Sequence, residues 1–175
     1  MRSLRLAILT VSALALLPAF GGAQPAAPSD VPEALRPPAG QSLYVEALAT
    51  GVQIYECGRK ADSTYEWKFQ APEAALADRS GRSIGKHYAG PTWESTDGST
   101  VVGEAIAKDP GPTPSAIPWL LLTAKANTGS GVFSTARSIR RVATKGGVAP
   151  TEPCSERNVG QIARVPYTAT YEFYK

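Results

Sequence analysis

His87 is the only histidine in the chain, and it lies in GRSIGKHYAGPTWESTDGSTVVG, the Gly81 to Gly103 stretch that also carries Lys86, Tyr88, Trp93, Glu94 and Asp97. Imidazole is the one side chain whose ordinary pKa lies near neutrality. Proton transfer at physiological pH would therefore fall to His87, with Glu94 or Asp97 as the carboxylate that orients it. These three are the catalytic candidates, and the chemistry they suit is hydrolysis of a glycan or an ester. Glu94 with Asp97 or Glu104 also supplies two acids, the minimum for protonating a glycosidic oxygen while stabilising an oxocarbenium ion. Ser95 and Ser99 are the nearby hydroxyls, but no G-x-S-x-G elbow surrounds them, and serines beside a hairpin turn are usually turn formers. One imidazole, a single methionine at position 1 and two cysteines are too few soft ligands for a transition metal. No metal site and no cofactor are expected.

The same stretch suits binding better than catalysis, because no complete catalytic set accompanies the histidine. Tyr88 and Trp93 present flat apolar surface, and Lys86, His87 and Glu94 can orient a ligand by hydrogen bonds. These five are the expected ligand-binding residues, on one aromatic and histidine-bearing surface, for a glycan or other extracytoplasmic ligand. Trp93, between Thr92 and Glu94, suits core and surface equally, whereas Trp119 is followed by three leucines and belongs in a core. A binding or structural module is thus the favoured reading, and a hydrolase centred on His87 is the alternative.

The elements that must position these residues are strands. Tyr65, Trp67 and Phe69 alternate with Glu66, Lys68 and Gln70, the period of a half-buried strand. Val52 to Cys57 forms its hairpin partner, with Gly51 separating it from an earlier run at Leu43 to Leu48. Ala71 to Ala77 opens with a proline and is rich in alanine, which allows one or two helical turns. Gly85 and Gly90-Pro91 predict an irregular extended segment, and Asp97-Gly98 predicts a hairpin turn. Strands follow at Thr100 to Ile106, Trp119 to Leu122, Val132 to Val142 and Val165 to Phe173. Asp30 to Glu33 resembles a capping box for one short helix ending at Leu35. About eight to nine strands and almost no helix indicate an all-β domain. A β-sandwich is favoured, since Pro118 and Pro166 suit open edges, and a closed β-barrel is the alternative.

Residues 1–23 have the make-up of a secretory signal peptide, with Arg2 and Arg5 before an uncharged run from Leu6 to Phe20 and small residues up to Ala23. The run is too short and too interrupted to expect a stable membrane anchor. Cleavage after Ala23 removes two of the 18 basic residues and none of the 15 acidic ones, so the formal charge falls from +3 to +1. Arg137, Arg140, Arg141 and Lys145 then form the only local basic cluster. No aromatic platform interleaves it, so a solvated strand face is expected and no nucleic-acid partner. A Pro/Ala-rich segment over 24–40 leads into a single β domain over 41–175. Cys57 and Cys154 are the only cysteines, and in an exported chain, periplasmic or secreted, they are expected to pair.

The phrases GVQIYEC, GKHYAGPTWE, IPWLLL, IRRVATKGGVAP and VPYTATYEFY resemble the secreted bacterial and fungal family catalogued as domain of unknown function 3455. The resemblance spans Val31 to Tyr174 and implies no established activity. Some fungal relatives bear a malate dehydrogenase label, but this chain has no G-x-G-x-x-G following a strand and no alternating βαβ pattern.

Overall fold

The computed structural model describes residues 31–175. The signal peptide expected over residues 1–23 and the capping residue Asp30 lie outside them. The first element is a single 3-10 turn, Glu33–Leu35, with Pro32 at its N-cap. Eight strands follow: β1 Leu43–Arg59, β2 Tyr65–Ala77, β3 Ser83–Tyr88, β4 Thr92–Ser95, β5 Thr100–Asp109, β6 Trp119–Thr128, β7 Ser138–Gly146 and β8 Ile162–Tyr174. Each pairs antiparallel with the next, and β1 also pairs with β8 from Leu43 opposite Tyr174 to Glu56 opposite Ile162. That last ladder closes the sheet on itself. The domain is all-β as its alternation requires, and of the two expected forms it takes the alternative, one closed barrel, in place of the favoured two-sheet sandwich.

The prolines that argued for open edges occupy overhangs instead. Pro166 pairs with Val52 of β1 and lies beyond the last partner on β7, where Gly146 faces Tyr167. Pro118 precedes the start of β6. In both places a missing amide costs the ladder little. Gly51 does not break the first strand, because a Cβ there would fall 2.0 Å from the Glu73 carbonyl oxygen and only glycine lets β1 and β2 approach so closely.

Ala71 to Ala77 is strand, not helix. The β1–β2 register skips Gln70, so that Tyr55 faces Phe69 while Ile54 faces Ala71. This bulge carries the inward positions from odd to even numbers: Pro72, Ala74 and Leu76 are buried, and Glu73 and Ala75 are exposed. The last expected strand before the terminal one also differs, since β7 begins at Ser138 and residues 132–137 are turns that close one end of the barrel.

The interior is filled by inward residues of every strand, among them Ala47, Ala49, Leu76, Trp93, Val101, Leu122, Ile139, Tyr171 and Phe173, with Phe133 from the closing turns. Phe133 stacks on Phe173 with ring centres 4.4 Å apart. A smaller apolar cluster lies on the outside of the wall, where Leu35 packs with Trp119, Leu121 and Val142. Trp119 is therefore buried as expected, against the N-terminal turn and not inside the barrel. Cys57 and Cys154 form the expected disulfide across a sequence separation of 97, tying the end of β1 to the β7–β8 connection. No helix among the described residues is long and apolar enough to cross a membrane.

Candidate functional site

β3 and β4 pair with His87 opposite Trp93 and Lys86 opposite Glu94. Successive side chains of a strand point to opposite faces, so the two pairs lie on opposite sides of the barrel wall. His87 is 2% exposed and Trp93 1%. On the outer face the Lys86 ammonium lies 3.2 Å from the Glu94 carboxylate, the Tyr88 hydroxyl donates to Glu94 Oε2 at 2.8 Å, and Lys86 stands over the Tyr88 ring. The Tyr88 and Lys86 contacts lower the Glu94 pKa, the tyrosine bond contributing most. The expected single surface of Lys86, His87, Tyr88, Trp93 and Glu94 is not formed: the strand's period divides it.

Asp97 is elsewhere again. Its carboxylate accepts from the Ser99 hydroxyl at 2.6 Å, the Ser99 amide at 2.9 Å and the Val132 amide at 2.7 Å. These bonds, led by the Ser99 hydroxyl, hold its pKa down at about 2. Asp97 thus fastens the β4–β5 hairpin to the turns that close the barrel end. Neither Asp97 nor Glu94 hydrogen-bonds to His87, so the three catalytic candidates are distributed over the closed end, the outer face and the interior.

Inside, His87 stacks on Trp93 with centroids 4.4 Å apart and planes 13° from parallel, and its ring centroid lies 4.9 Å from that of Tyr171. Gly103 makes the room for this stack, since a Cβ there would come within 2.9 Å of the Trp93 ring. His87 Nδ1 lies 2.8 Å from the Thr92 carbonyl oxygen. A carbonyl only accepts, so Nδ1 carries the proton and Nε2 is left as an acceptor with no protein partner among the described residues. Burial lowers the His87 pKa to about 4, with the positive field of Arg141 adding to it against the raising effect of the Thr92 bond. The imidazole is neutral at physiological pH.

His87 and Trp93 line a cavity of about 490 Å³ in the barrel interior, together with Gln53, Tyr55, Leu120, Leu122, Arg141 and Tyr171. Phe69, 47% exposed, lies in the same lining with Ala89, Gly90, Pro91 and Pro118 and marks the mouth. Most of the lining is apolar. Its polar atoms are few and incompletely satisfied. The Tyr55 hydroxyl donates to the Gly147 carbonyl at 2.7 Å, but Gln53 Nε2 and Trp93 Nε1 are buried without a hydrogen-bond partner among the described residues. Gln53 lies near enough to Tyr167 to act on its hydroxyl without completing that bond. Burial raises the pKa values of Tyr55, Tyr167 and Tyr171, in each case against the field of Arg141.

The arginine cluster is not a solvated strand face. Arg140 is 3% exposed, and its Nε donates to Glu172 Oε2 at 2.5 Å, while the Tyr174 hydroxyl donates to the same oxygen. Arg141, one residue on, faces the cavity, and its Nε and Nη2 both donate to the Pro118 carbonyl, at 3.0 and 2.8 Å. Arg137 and Lys145 are exposed.

The family profile described as protein of unknown function (DUF3455) matches residues 38–175. The chain belongs to the DUF3455 family. No curated protein and no solved structure matches it. In this DUF3455 protein the matched segment contains all eight strands, the disulfide and every residue of the cavity lining.

Gln53, Tyr55 and Tyr171 are cavity residues that the sequence did not single out, and Arg141 stood out only as part of the basic cluster. A signal for the first two exists in β1, where Gln53 and Tyr55 share odd numbering with Ala47, Ala49 and Cys57, all buried. A polar amide in an otherwise apolar inward series marks an interior site. Arg141 shares the parity of the buried Ile139.

Proposed function

We propose that this protein binds a small, largely apolar molecule inside its barrel. One observation carries the reading. A cavity of about 490 Å³, within the range of small-molecule sites, includes in its lining Gln53 and Trp93, whose buried nitrogens have no hydrogen-bond partner among the described residues. Leaving such groups unpaired costs about 1–3 kcal/mol each, a cost that a ligand with matching atoms relieves. The stacked His87 and Trp93 rings and Tyr171 supply flat apolar surface, and His87 Nε2 adds a neutral acceptor. The reading keeps His87 and Trp93 as binding residues and assigns Lys86, Tyr88 and Glu94 to bracing the outer face of β3 and β4. The disulfide suits an extracytoplasmic place of action, periplasmic or secreted, where such pairs persist.

The test is titration with N-phenyl-1-naphthylamine, a neutral apolar dye that brightens on leaving water. One-to-one saturable binding is expected, weakened at least about tenfold in Ala105→Trp, which places an indole in the cavity lining. A signal that does not saturate, or one unchanged in the folded variant, overturns the proposal.

A further inference from the structure

Arg141 brings a full positive charge to a cavity that has no acidic lining. None of the lining residues is Asp or Glu, and none of the described ion pairs includes Arg141. Its neighbour shows the contrast, because Arg140 is buried and has the Glu172 carboxylate against it. Arg141 is half-buried, and Nε and Nη2 share a single carbonyl oxygen, that of Pro118. The guanidinium also acts on the Tyr171 hydroxyl at hydrogen-bond range, but no carboxylate among the described residues meets it. A guanidinium offers five N–H donors, and one oxygen satisfies few of them. Its field reaches the hydroxyls of Tyr55, Tyr167 and Tyr171 and the His87 ring, which surround the interior.

A partly desolvated cation without a counter-ion is costly unless an anion completes the site. The unpartnered buried nitrogen atoms of the lining, Gln53 Nε2 and Trp93 Nε1, are also donors. The buried polar atoms of the lining that lack a partner among the described residues are thus both donors. A neutral hydrocarbon satisfies none of these groups. A carboxylate fits the planar fork of a guanidinium with two parallel bonds. Resting on the reading that the cavity is a ligand site, we propose that its ligand is an organic monoanion, a carboxylate on a predominantly apolar body, anchored by the Arg141 guanidinium with the apolar part against Trp93, Tyr171 and Leu122.

The experiment displaces bound N-phenyl-1-naphthylamine with two competitors of equal chain length, decanoate and 1-decanol, at pH 7 and fixed ionic strength. In the parent protein decanoate is expected to displace the dye at a concentration at least about tenfold lower than decanol, as one charge-assisted pair warrants. Arg141→Met, which keeps the apolar stem and removes the charge, should bring that ratio close to one while the dye still binds. Arg141→Lys should retain part of the preference. Equal displacement by the two competitors in the parent overturns the carboxylate assignment and leaves the cavity reading standing. The same preference persisting in folded Arg141→Met moves the anchor away from Arg141 and overturns the proposal as well. Failure of the dye to bind the parent at all overturns both readings. The parent ratio decides the ligand class even where the methionine variant does not fold.

Discussion

Lowering the pH from 7 to 5 should destabilise this protein by about 2 kcal/mol through one side chain, His87. Its folded pKa of about 4 lies below the ordinary 6.5, because the ring is buried against Trp93 and Tyr171 with a cation nearby. Between those two values the unfolded chain binds a proton that the folded chain does not. The neutral form's stabilisation is thus present above pH 6.5 and is lost as the pH falls toward 4, for a full amount of about 3 kcal/mol. The depressed carboxylates do not confuse the comparison: Asp62, Asp78 and Asp97 lose their stabilisation only below their ordinary range near 3.8 and Glu94 below its own near 4.5, and all four are present in parent and variant alike. Because the chain has a single histidine, no other imidazole contributes. The assay is urea unfolding of the parent and of His87→Asn at pH 7 and pH 5. With a urea dependence of about 2 kcal/mol per molar, the parent midpoint should fall by about 1 M, and the variant midpoint should move much less, whatever its absolute stability. Equal pH dependence in the two proteins would falsify the description of His87 as a desolvated, neutral interior ring.

Two further outcomes concern the frame around the cavity. Replacing Cys57 and Cys154 together by serine releases a covalent loop spanning 97 positions, which should cost on the order of 4 kcal/mol and lower Tm by roughly 8–16 °C. Peptide mapping without reductant should recover the two cysteine peptides joined, and free thiols at both positions would contradict the pairing. Asp97→Ala should lower Tm by a few degrees through loss of the Ser99 and Val132 bonds while leaving dye affinity unchanged. A loss of affinity in folded Asp97→Ala would return Asp97 to the functional site.

Much of the molecule follows from local pattern. Period-two alternation in Tyr65 to Gln70 and in Val165 to Phe173, with the Asp97-Gly98 turn, is enough to establish antiparallel strands, since side-chain direction along a strand depends only on residue parity. Two cysteines in a chain with a signal-like start are enough for the disulfide. The same parity was available for Lys86 to Glu94. Facing pairs His87–Trp93 and Lys86–Glu94 must lie on opposite sides of any sheet, so proximity in sequence was a poor guide to a shared surface.

Other features depend on long-range pairing. Whether β1 and β8 meet is a property of two segments more than a hundred positions apart, and no local residue preference distinguishes a closed ladder from two open edges. The bulge at Gln70 reverses parity, so the alanines beyond it resemble helix formers until Ala74 and Leu76 are placed against the interior. The cavity itself is space left over when eight inward faces are brought together. By itself the sequence determined most of the strands, the turn at Asp97-Gly98 and the bond between Cys57 and Cys154, because each depends on neighbours in the chain or on simple count. Closure of the barrel, the burial of His87 and Trp93 and the convergence on them of Gln53 and Arg141 were decided by tertiary structure alone, because a ring of strands brings together side chains that share nothing in sequence except the direction in which they point.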